Sequence, residues 1–94
     1  MDEVILRHDE GGQRFLAEAA GHTAVLSYQS LGSGAVDFAS TYVPDALRGR
    51  RIGTRLVVFA LAEARSRGLT VRPSCWFVRV VVDRHPEYRD LLVA

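Results

Sequence analysis

The sequence predicts an α+β fold. It is a compact mixed sheet with an antiparallel three-strand meander, one long helix after a glycine- and arginine-rich turn, a parallel fourth strand and short C-terminal helices. Three observations predict it. Turn signals recur about every ten residues through the first half of the chain, the rhythm of consecutive hairpins. Apolar residues from Ile52 to Ala64 recur at helical spacing. A strand, that helix and another strand follow in succession, a connection long enough for parallel pairing with a right-handed crossover.

Taken in order, Val4-Ile5-Leu6 is a short first strand or edge piece, and Asp9-Glu10-Gly11-Gly12 is a turn. Arg14 to Ala19 alternates, with Phe15, Ala17 and Ala19 on one face, and Ala20-Gly21-His22 reverses the chain. Thr23 to Tyr28 is the next strand, with Ala24, Leu26 and Tyr28 on one side, and Leu31-Gly32-Ser33-Gly34 turns again. Val36, Phe38, Ser40 and Tyr42 then alternate with Asp37, Ala39, Thr41 and Val43. Pro44 cannot donate into a ladder, so the strand stops or splays there.

The helix is expected from about Arg50 to Arg67. Ile52, Leu56, Phe59 and Ala60 form a stripe flanked by Val57, Leu61 and Ala64, a width that suits a helix lying flat on a sheet. Arg65 and Arg67 complement the C-terminal dipole and Gly68 is a C-terminal stop. Leu69 to Ser74 reads as the fourth main strand. Cys75 to Asp83 is rich in valine, which favours strand, but Phe77, Val81 and Arg84 fall at helical spacing ahead of His85-Pro86-Glu87-Tyr88, and a short helix is predicted.

Ninety-four residues suit one domain, residues 1–94, with a single core. Hydrophobic content of 48% and three prolines argue against disorder. No apolar stretch approaches the ~20 residues of a membrane span, and the acidic start Met1-Asp2-Glu3 does not resemble a signal peptide. A lone cysteine fits a reducing, cytoplasmic setting. All twelve basic residues are arginine, which GC-rich coding explains without function. Residues 1–47 hold two arginines against seven acids; residues 48–94 hold ten against four, so the overall +1 hides a dipolar chain.

The basic half begins at Val43-Pro44-Asp45-Ala46-Leu47-Arg48-Gly49-Arg50-Arg51-Ile52-Gly53. Arg48, Arg50, Arg51 and Arg55 crowd a helix N-terminus, where the dipole repels each cation by about 0.3–1 kcal/mol. Arg51 and Arg55 also repel each other at i,i+4 spacing. Free N–H groups of a first turn, glycines that admit a ligand and arginine forks together describe a phosphate site. A solvated basic cap is the plainer alternative.

Val43-Pro44 through Gly53, Gly68-Leu69, Cys75-Trp76-Phe77-Val78 and His85-Pro86-Glu87-Tyr88, in this order and spacing, resemble the GNAT N-acetyltransferase superfamily. More narrowly the chain is similar to the small single-domain YjdJ/NATD1-like branch. The resemblance implies acetyl-coenzyme A or coenzyme A as the small-molecule acyl donor and an amine of unknown identity as acceptor. It implies a pyrophosphate loop at Arg48, Gly49, Arg50, Arg51, Ile52 and Gly53, with Thr54 next to them, and a splayed strand Thr41-Tyr42-Val43 whose backbone bonds the pantetheine arm like a missing strand. A thioester would lie near the C-terminal ends of Thr41–Val43 and Val71–Cys75.

The chain departs from the pattern at three places. Arg51 stands where the loop has glycine, Ser40 where the branch has histidine, and Val81 where it has tyrosine, the acid for a departing thiolate in this family. The resemblance therefore implies binding more directly than catalysis, and a coenzyme A-binding module or sensor stands beside the acyltransferase reading. Cys75 is the candidate catalytic residue, as a thiolate nucleophile or acetyl carrier; the alternative is a small buried hydrophobe. Ser40 reads as a strand hydroxyl, and His85 as an anchor at a helix end. His8 and His22 lie in turn-like places without a motif, Trp76, Phe77 and Tyr88 read as packing, and Tyr28 and Tyr42 are alternative acids. The arginines form neither a recognition helix nor an aromatic-basic alternation, so nucleic acid is not an expected partner. A chain this small lacks the strands and loops that shape an acceptor pocket, so a homodimer completing it is one arrangement the resemblance allows.

Overall fold

The computed structural model describes residues 3–93; Met1 and Asp2 of the acidic start, and Ala94, lie outside the described residues. Five strands lie in the order of the chain: β1 Ile5–Asp9, β2 Arg14–Ala19, β3 His22–Gly32, β4 Ala35–Tyr42 and β5 Thr70–Arg72. β1 to β4 pair antiparallel, and β5 joins β4 in parallel with Val36 opposite Val71. Helix α1, Ile52–Ser66, supplies the crossover between β4 and β5, and α2, Trp76–Arg84, follows β5. A 3-10 segment, Pro86–Leu91, leads to a terminal stretch in which Val93 N–H donates to the Val71 carbonyl at 2.9 Å.

The meander follows from the turn chemistry. Ala20 and Gly21, both at positive φ, join β2 to β3 as a two-residue hairpin with Ala19 opposite His22. Phe15 pairs with Leu26 and Ala17 with Ala24, so their side chains share one face, and α1 lies on that face. Leu56, Val57, Ala60 and Leu61 are fully buried there against Phe38 and Leu26. Each side chain of this size buried contributes roughly 1.5–3 kcal/mol, which explains why the stripe read in the sequence is the seam of the fold.

Expected boundaries shift in three elements, and β5 keeps only Thr70–Arg72 of the expected Leu69–Ser74. β3 runs on to Gly32, because the strand continues through the residues assigned to a turn and only Ser33 and Gly34 reverse it. α1 begins at Ile52 rather than Arg50, because Gly49 and Arg51 are left-handed at φ 81° and 60° and cannot belong to a right-handed helix. A short 3-10 turn, Asp45–Leu47, separates the strand from that loop and buries Leu47.

The face assignment in β4 changes as well. Ser27 pairs with Ser40 but Tyr28 pairs with Phe38, so Ala39 is an extra residue, a β-bulge. Past the bulge the alternation inverts. Thr41, opposite Leu26, turns to the core face with Phe38, and Tyr42 turns to the open face, where it is 61% exposed. Simple alternation from Val36 to Tyr42 puts Ser40 and Tyr42 on the core side.

Candidate functional site

β5 pairs with β4 only over Ala35–Asp37. One more contact, the Cys75 N–H donating to the Phe38 carbonyl at 3.0 Å, closes the pairing. Past it, among the described residues, β4 has no strand partner on that side. β5 has ended by then, and β4 runs on to Tyr42 with that edge unpaired. Beside that edge opens a cleft of about 520 Å3, lined by Thr41 and Val43 of β4, the loop and first turn of α1, and Cys75 to Phe77 at the start of α2.

The loop builds its own concavity. Gly49 and Arg51 are at positive φ with Arg50 between them, and α1 starts at the next residue. Such alternation points successive N–H groups to one side, as in anion-binding nests. Among the described residues no side chain caps α1, and its first carbonyl bond is Arg55 N–H to Arg51 C=O at 3.0 Å. The N–H groups of Ile52, Gly53 and Thr54 therefore have no carbonyl within the helix to bond. Arg51 takes the glycine-like conformation despite its Cβ, φ 60° and ψ 19°, at a cost of roughly 1–2 kcal/mol.

Most of the residues singled out in the sequence meet in this cleft: Thr41, Val43, Arg48, Gly49, Arg51, Ile52, Gly53, Thr54 and Cys75 all line it. Two do not. The bulge aims Tyr42 away, and Arg50 lines a separate groove with Arg55, Phe59 and His85. Arg48 reaches the cleft but its guanidinium holds the loop together: Nε donates to the Val43 carbonyl at 3.2 Å and Nη1 lies 3.1 Å from Asp45 Oδ1. Gly53 is required by packing. A Cβ there would lie 3.1 Å from Val43 Cγ2 and 3.2 Å from Phe77 Cε2, so glycine lets the helix start sit tightly between β4 and α2.

Cys75 stands just before α2, buried, with Sγ 3.5 Å from Thr41 Oγ1. Arg79, a nearby arginine in sequence, is turned away, its Nε donating to the Pro73 carbonyl at 2.8 Å. Among the described residues, no histidine or carboxylate lines the cleft. Trp76 corrects the packing expectation. It is 72% exposed, at the cleft's lip, while Phe77 beneath it is partly buried against the core. Its signal was present in the sequence as an aromatic at the first position of a helix, where the stripe of α2 does not need it. Leu47 was also missed, because only the 3-10 turn carries it to the cleft wall.

A family model described as GCN5-related N-acetyl-transferase matches residues 14–91. Protein NATD1 of Homo sapiens is 34% identical over 85 residues, covering 88% of this chain and 75% of the relative. Protein NATD1 of Danio rerio is 30% identical over 92 residues, covering 94% and 84%. In fold, the chain is similar to a GCN5-like protein of Staphylococcus aureus solved by NMR, with a TM-score of 0.72, 21% identity, and coverage of 96% of this chain and 88% of that one.

Proposed function

The chain belongs to the GCN5-related N-acetyltransferase family, in its small NATD1-like branch, and from that premise we propose that it binds acetyl-coenzyme A in the β4–α1–α2 cleft and transfers the acetyl group to an amine. The observation that carries the reading is the start of α1: a left-handed Gly49 and Arg51 leading into an uncapped first turn, beside an open strand edge. These residues fit a coenzyme. The nest and helix N–H groups suit a diphosphate, the unpaired edge of β4 suits an amide-bearing arm, and the cleft's volume lies within the range of small-molecule sites, about 300–1,000 Å3.

When bound, the cofactor would supply a thioester, an acyl donor reactive toward amines. The chain's own residues would orient it: the backbone of Thr41 and Val43 along the arm, the N–H groups of Ile52, Gly53 and Thr54 at the anion, the Arg51 side chain at the mouth. The Cys75 thiol, beside the Thr41 hydroxyl, is the nucleophile available in the cleft.

The absence of an imidazole or carboxylate among the lining residues favours a second reading, a coenzyme A-binding module with little turnover. Calorimetric titration with acetyl-coenzyme A and coenzyme A, followed by thioester consumption over a panel of amines, separates the two. Binding with consumption supports transfer, and binding without it supports the module. No heat with either ligand refutes both. If Cys75 carries the acetyl group, a mass shift on the protein appears with acetyl-coenzyme A and disappears in Cys75→Ser; a shift that survives in the variant rules that role out.

A further inference from the structure

A second cavity, of about 270 Å3, lies under the C-terminal half of α1. It is separate from the cleft, since Gly53 at one and Ala64 at the other are about 16 Å apart along the helix axis. Its floor is apolar and aromatic. Phe15 meets Tyr28 with centroids 5.2 Å apart and Phe38 at 5.9 Å, and Leu69 closes the far side.

Its rim is charged and unevenly satisfied. Arg67 Nη2 donates to Glu10 Oε1 at 3.1 Å, a bond that holds the Glu10 carboxyl below the ordinary glutamate range. Glu63 has no such bond among the described residues. The nearest nitrogens are Arg67 Nε at 3.5 Å and His8 Nδ1 at 3.6 Å, the latter beyond hydrogen-bond reach. His8 is the matching orphan. Its side chain is 11% exposed, its ring stacks on Phe15 at 4.2 Å and its Nε2 lies 2.6 Å from the Tyr28 hydroxyl, yet its Nδ1 is buried without a hydrogen bond. His8 is on β1 rather than in a turn, and the sequence carries no sign of this cluster because its members come from β1, β3 and α1.

Glu10, Glu63 and Arg67 together give the cavity a net charge of −1. An anion entering it would face both carboxylates and a guanidinium already engaged. A cation would find on Glu63 a carboxylate held only by long contacts of 3.5 and 3.6 Å. We propose that this cavity binds a small organic monocation, a primary amine bearing a compact apolar or aromatic group. The ammonium donates to Glu63. His8, with its Nε2–H given to the Tyr28 oxygen, offers the Nδ1 lone pair as a second acceptor. The apolar group rests on Tyr28 and Leu69 above the buried Phe15 and Phe38. Nothing in this depends on the reading of the β4–α1–α2 cleft.

The test is titration of the full chain with 2-phenylethylamine and, separately, with 3-phenylpropanoate, followed by amide NMR. The amine is expected to shift resonances around His8, Tyr28 and Glu63 and the carboxylate to shift none of them. Glu63→Gln, at a partly exposed site, is expected to weaken the amine at least tenfold, and Glu10→Gln, on an exposed turn, to weaken it as well by freeing Arg67 to occupy Glu63. The proposal is overturned if the carboxylate binds as well as the amine, if a folded Glu63→Gln keeps the amine's affinity, if the shifts centre on Cys75 and Trp76, or if no shift appears at ~10 mM amine.

Discussion

The two ends of α1 carry the same residue type and treat it in opposite ways. At the C-terminus Leu69 N–H donates to the Ala64 carbonyl at 2.9 Å and Gly68 N–H to Arg65 at 3.1 Å, a Schellman stop with Gly68 at φ 69°. The arginines there are used. Arg65 grips Asp90 at 2.8 and 3.3 Å, reaches the Glu87 carbonyl and lies 5.5 Å from the Tyr88 ring centroid; Arg67 pairs with Glu10 and Glu63. At the N-terminus no side chain caps the helix, and Arg51 and Arg55 have no side-chain hydrogen bond or ion pair among the described residues. Where structure is the purpose, the helix end is closed with partners from the same chain. Under the proposed function, the partner of the open, strained and like-charged end is an external anion.

That contrast can be broken at either end. The largest effect is expected from Gly53→Val, whose Cβ would press on Val43 and Phe77. Overpacking of this kind costs about 1–3 kcal/mol and closes the cleft, so denaturant unfolding and coenzyme A titration should both register it. Wild-type affinity in this variant would contradict the assignment of the cleft. Next, Arg51→Ala should weaken coenzyme A by about tenfold, in line with loss of a charge-assisted bond. Arg51→Gly should lose the same affinity but gain about 1 kcal/mol of stability, because glycine adopts left-handed backbone without a Cβ penalty. If both variants bind normally, the backbone alone holds the anion.

At the other end, Gly68→Ala meets no atom within 4 Å, so its cost is the conformation alone, about 1 kcal/mol in unfolding free energy with coenzyme A affinity unchanged. The smallest effect is Arg65→Ala. The Arg65 hydrogen bond holds the Asp90 carboxyl below the ordinary aspartate range. The stability this gives is present above that range and fades as pH falls through the lowered value. Removing Arg65 should flatten the acid limb of melting temperature against pH while leaving cofactor binding intact; an unchanged limb would show the pair to be energetically silent.

Much of this was legible in the sequence. The meander, the helix, the parallel return and the loop at Arg48–Gly53 depend on turn residues and apolar spacing, both local properties. The bulge at Ala39 was not legible, because an extra residue shows itself only against its partner strand, and it reverses the faces of Thr41 and Tyr42. Nor was the structural use of Arg48, since its partners are a carbonyl and a carboxylate that the 3-10 turn brings within reach. The Arg51 departure stands out in the sequence because a Cβ restricts φ, yet the backbone there keeps the left-handed conformation that glycine would take.

The sequence by itself determined the order of elements, the face of α1 that is buried and the place of the glycine- and arginine-rich loop before it, because hydrophobic period and turn chemistry act within a few residues. Only the tertiary structure decided which side chains face one another: Thr41 with Cys75 in the cleft, His8 with Tyr28 and Glu63 beneath the helix. Those contacts join residues 20 to 55 positions apart. Their distances are fixed by how a bulge, a crossover and a packed helix add together, and no local rule contains that sum.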